Sequence, residues 1–139
     1  MPDAVQVSLT TEERMFLLKG LGEWGGPARC TDQLAIGMGF EGRDHFHEAV
    51  ARLREALQAG EPLSHEDWRR VLLETEVVFV SDVVGSGLDW STTSGITDSD
   101  SIGLLRSIQR KMPRWRPTFQ FTLDRQGDVV ISEPERPRG

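Results

Sequence analysis

The chain is predicted to fold as α+β, mainly α: about five helices around a central buried helix at residues 64–84, with a small antiparallel β element from a C-terminal hairpin at 118–132. Three observations predict this. Apolar residues recur at helical spacing through most of residues 10–112. The segment 64–84 holds the most apolar stretch of the chain and runs directly into its most polar loop. After Pro113 the period falls to two, which is the mark of strands.

The segment Ala4–Leu9 alternates like a short strand and is a candidate to join the hairpin. Thr10 and Glu13 form a capping box that opens a helix through about Lys19. Residues 20–29, with four glycines and a proline, read as a breaker-rich connection, from which Trp24 folds back over the core. Thr31 caps a short helix ended by Gly39, and Phe40 turns inward. Another helix runs from about Arg43 to Ala59, with Phe46, Ala49, Val50, Leu53, Ala56 and Leu57 on one face and Gly60 and Pro62 beyond its end.

In the central segment, Ser64 and Asp67 stand where a helix cap stands. Trp68, Val71, Leu72, Thr75, Val78 and Phe79 follow at helical spacing, and Val77, Val80, Val83 and Val84 spread the apolar surface to almost every side. Gly85 is the expected left-handed cap. The β-branched run from Val77 to Val84 also fits a buried strand after Thr75, but no turn signal separates Glu74 from Val83, which favours one helix. A polar loop, 85–97, leads to a helix capped by Thr97, with Ile102, Leu105, Ile108 and Met112 facing inward and Pro113 at its end. Thr118–Leu123 and Asp128–Ser132 then alternate on either side of a turn at Asp124–Gly127. Residues 1–132 are expected to form one domain and 133–139 a disordered tail.

Composition narrows the function classes. Residues 1–102 carry 8 Lys/Arg against 18 Asp/Glu, and residues 103–139 carry 8 against 4. Most of the surface therefore repels nucleic acid and anionic membranes. No apolar run approaches the length of a membrane span, roughly 18 residues, and nothing resembles a signal peptide. Cys30 is the single cysteine, which suits a reducing cytoplasm. Arginine outnumbers lysine 14 to 2, a bias expected of a GC-rich bacterial genome.

The chemical motifs are sparse. His45 and His47 on a helix diverge by about 200° and cannot readily share a metal. His47-Glu48 begins like a zinc-protease motif, but Ala51 stands where the second histidine belongs. Cys30 precedes a helix N-terminus, which could lower its pKa, but nothing nearby marks it as a nucleophile. Asp98-Ser99-Asp100 is explained by helix capping without an ion. No metal site, cofactor or catalytic constellation is expected.

Residues 34–53, LAIGMGFEGRDHFHEAVARL, resemble the second and third helices of bacterial helix-turn-helix domains on Leu34, Ala35, Gly39, Phe40 and Phe46. The resemblance implies DNA binding by residues 31–59. Those matched residues are packing positions, however, and the reading helix mixes Asp44, Glu48 and Glu55 with Arg43, Arg52 and Arg54. The arginine cluster 106–116 around Trp115 offers a second basic surface.

The leading expectation is a small acidic protein-binding module, of the immunity, inhibitor or regulatory-adaptor type, taking a basic protein partner. Its expected contact residues are Asp89, Trp90, Asp98 and Asp100 on the polar loop and the helix start beyond it. Asp82, a lone carboxylate in an apolar run, is expected to be a structural acceptor for the 91–97 hydroxyls and amides. A DNA-binding regulator and an enzyme are the alternatives.

Overall fold

The computed structural model of the chain describes residues 4–113 and 120–132. They form six α-helices and two small antiparallel β pairs: α1 Thr11–Glu23, α2 Asp32–Gly37, α3 Arg43–Ala59, α4 His65–Val80, α5 Trp90–Ser94 and α6 Asp98–Lys111. The strands are β1 Ala4–Val5, β2 Leu63–Ser64, β3 Gln120–Leu123 and β4 Val129–Ser132. The fold class is α+β, mainly α, as the periodicity predicts.

Most helix starts lie where the capping residues put them. Thr10 and Glu13 make a complete capping box, and Thr31, Ser64 and Thr97 each accept the backbone N–H three residues on. Such caps satisfy amides that the helix itself leaves unpaired. Helix α3 starts without one: its cap is Gly42, and the Arg43 amide instead donates to Asp32 Oδ1 at 2.8 Å.

The helix that touches most of the others is α1, which packs on α3, α4, α5 and α6. It continues four residues past Lys19, through two glycines. Gly20 explains why the breaker does not break. A Cβ there would sit 2.7 Å from Thr75 Cγ2, so the missing side chain lets α1 and α4 cross closely. Burial of both backbones outweighs the helix penalty of about 1 kcal/mol for glycine.

Helix α4 is a helix throughout, which decides against the strand reading, but it ends at Val80. Its buried stripe is Trp68, Val71, Glu74, Thr75 and Val78. Beyond it the chain turns back on the last helical turn, with Gly85 N–H on Ser81 O and Ser86 N–H on Val78 O. Gly85 is therefore not a left-handed cap; it lies against the α4 carbonyls, 2.5 Å from Val77 O at its missing Cβ. The turn throws Val83 into solvent at 94% exposure, with Leu88 at 83% and Val80 at 70%.

The N-terminal strand does not join the hairpin. Ala4 and Val5 pair with Ser64 and Leu63, and Val5 O accepts Trp68 Nε1 at 2.9 Å. The hairpin β3–β4 pairs Gln120 with Ser132 through Leu123 with Val129. Asp124 Oδ1 accepts the Gln126 and Asp128 amides and so fixes its turn. Arg114, Trp115, Arg116, the start of the 118–132 element and the 133–139 tail lie outside the described residues.

Candidate protein-binding groove

The polar stretch 85–97 is folded, with a 3-10 turn at Gly87–Asp89 followed by α5. Trp90 does not reach the surface. It is fully buried, meets Phe16 and Phe79 edge-on at 5.5 and 5.7 Å, and donates from Nε1 to Ser101 Oγ at 2.7 Å. The expected aromatic anchor is thus the rivet that fixes α5 beneath α1 and α6, and Asp89 beside it is exposed on the 3-10 turn.

Asp82 is corrected as well. It is exposed, and it accepts the Leu88 amide at 2.9 Å, not groups of 91–97. The loop hydroxyls are held by Glu23 at the end of α1: its Oε1 accepts Ser86 Oγ at 3.2 Å and also Thr93 Oγ1. At the other end of α1, Glu13 is buried too and ties α1 to α6. Glu13 accepts Ser107 Oγ at 2.6 Å and Lys111 Nζ at 2.5 Å, besides the Thr10 amide. Burial alone would raise the Glu13 pKa, but those donors overcome it and hold the group down at about 2.

With α1 and α6 clamped, their first turns stand beside a groove of about 780 Å³. Thr11, Glu12 and Met15 line it from α1, Gly95–Thr97 from the connection, and Ser99, Asp100, Gly103 and Leu104 from α6. Met15 is half exposed, and Ile96 and Leu104 are partly buried, so the groove offers apolar surface. Glu12 stands on one wall and Asp100 on the other, with Asp98 in the same first turn of α6. Each helix start favours these carboxylates through its dipole. Of the four residues expected to meet a partner, Asp100 alone lines the groove; Asp98 lies in the same first turn of α6 outside the lining, Asp89 is on the preceding turn, and Trp90 is withdrawn into the core.

Gly103 is the unusual wall residue. It sits mid-helix, where glycine costs about 0.5–1 kcal/mol relative to alanine, yet a Cβ there would meet nothing within 4 Å. Close packing does not require it, and it leaves this part of the groove lining without a side chain.

A third buried carboxyl, Glu74, was not singled out from the sequence. Glu74 is fully buried on α4, and neither carboxyl oxygen has a hydrogen-bond partner in the protein. Burial pushes its pKa up to about 8, with Asp67 adding to the rise and Arg70 and Arg52 opposing it. The acid is therefore held in its neutral form near pH 7. The signal for it was present: Glu74 is three residues after Val71 and four before Val78, on the apolar stripe. Cys30 is also buried, and its thiol pKa is raised, first by burial and then by the charge of Glu74 and Asp32, opposite to the direction a helix N-terminus would give.

On α3, the exposed face mixes the charges read from sequence, and Arg52 is committed to Asp67 at 2.9 Å. His45 Nδ1 accepts the Glu41 amide at 3.0 Å, while His47 is exposed. Among the described residues, no group of three or more His, Cys, Asp or Glu is arranged to hold a metal, and no helix is long and apolar enough to cross a membrane. No protein-family model, curated protein or solved structure matches the chain.

Proposed function

We propose that the chain is a protein-binding module of the immunity, inhibitor or regulatory-adaptor type, and that the α1–α6 groove receives a basic partner protein. One observation carries the reading: an open groove with Met15, Ile96 and Leu104 among its lining has a carboxylate on each wall. Apolar contact supplies affinity in such a site, while the acids steer a cationic partner and disfavour anionic ones. In this reading Asp100, Glu12 and Met15 meet the partner, Asp98 adds charge from the same turn of α6, and Trp90 has a structural part, packed on Phe16 and bonded to Ser101.

The test separates the groove from the rest of the surface. Gly103→Leu places a large side chain on the groove lining at a position where a Cβ meets nothing within 4 Å. A partner captured on the immobilised chain should bind this variant at least tenfold more weakly, about 1.4 kcal/mol, while thermal stability stays level or rises. Glu12→Lys with Asp100→Lys should slow association and weaken its dependence on salt. Unchanged affinity in both variants would refute the reading.

A further inference from the structure

We infer that the groove takes a short linear motif of a basic partner: one large apolar side chain flanked on both sides by lysine or arginine. This rests on the groove being the binding site and names what enters it.

The walls are short. On α6 the lining runs from Ser99 to Leu104, about 7.5 Å at the helical rise, and on α1 from Thr11 to Met15, about 6 Å. A partner helix laid in a groove uses anchors at i, i+4 and i+7, which span roughly 10 Å. That row outruns both walls. A single anchor does not, and a volume of about 780 Å³ holds a large side chain with the backbone on either side of it.

The charges select the flanks. Glu12 comes from α1 and Asp100 from α6, so each of the two helices that line the groove offers one carboxylate to a residue flanking the anchor. Both acids are exposed and remain hydrated before binding, so pairing them does not require stripping a buried charge. Met15, half exposed on the α1 wall, suits anchors of several shapes because its unbranched thioether repacks readily. The motif is therefore defined by charge and size, with leucine, methionine and phenylalanine all admitted as anchors.

The test uses displayed peptides of defined composition on the full-length chain. One library holds seven-residue peptides with a single randomised position between lysines and arginines; a second holds basic amphipathic helices with three apolar anchors. Enrichment of the short peptides carrying leucine, methionine or phenylalanine is expected, with at least tenfold loss on Gly103→Leu. Replacing either flanking cation by glutamate should cost a comparable factor. If only the helical peptides are enriched and Gly103→Leu abolishes their binding, the groove is the site and the single-anchor inference is wrong. If neither library is enriched, the inference also fails. If peptides bind equally to parent and Gly103→Leu, the groove reading itself falls.

Discussion

Glu74 controls how stability depends on pH. Folded, the group keeps its proton to about pH 8, whereas the unfolded chain releases it near 4.5. Between those values the folded state binds more protons, so stability falls as pH rises from about 4.5 to about 8 and is level above. The loss across the window is on the order of a few kcal/mol. Glu74→Gln, which cannot ionise, should stabilise the protein at pH 8 by a similar amount and flatten that slope in denaturant titrations. A parent whose stability rises from pH 5 to 8 would contradict the burial of Glu74. Glu13 works in the opposite direction: its depressed pKa contributes stability above about pH 4.5 that is lost as pH falls toward 2. At this scale the sequence was only partly legible. Cap residues announce themselves by spacing, so Glu13 was read correctly as a cap. That the same carboxylate reaches Ser107 and Lys111 depends on how two distant helices cross, and no local pattern encodes that crossing. The same holds for Glu23, which occupies the role that composition alone assigned to Asp82.

The long helices were the most legible elements because each carries an apolar stripe and α1, α4 and α6 also carry a side-chain cap, whereas the short α5 has no cap and reads as loop. Their ends were less so. The apolar run past Val80 favoured continuation, but the chain turns back there and satisfies Val77 O and Val78 O with the Ser81 and Ser86 amides, leaving Val83 exposed. Hydrophobicity was a poor guide where the backbone found other partners. Helix α1 departs in the other direction: glycine reads as a stop in the sequence, whereas its role at position 20 is close approach to Thr75. Gly20→Ala should therefore destabilise the protein by about 1–3 kcal/mol through overpacking, despite the better helix propensity of alanine. The control is Gly103→Ala, where the open Cβ position predicts a gain of about 0.5–1 kcal/mol. Thermal melts of the two variants should move in opposite directions, and a shared direction would mean that helix propensity alone decides.

At the scale of the whole molecule, the chain sets one groove between the starts of two helices that are 87 residues apart in sequence at their first positions, Thr11 and Asp98. Glu13 clamps the helices, Trp90 fills the space beneath, and Thr10 and Thr97 cap them so that their acids stay at the rim. The acidic balance of residues 1–102 suggests a basic partner, and the exposed Asp98 and Asp100 are legible as the acidic first turn of α6. The α1 wall is not, because it becomes a wall only after tertiary packing. The most direct measurement is amide chemical-shift mapping of the labelled protein as a lysine- and arginine-flanked apolar peptide is added. The account predicts perturbations gathered at residues 11–15 and 95–104. Shifts centred instead on the exposed Val80–Leu88 turn, or on the face of α3, would contradict it.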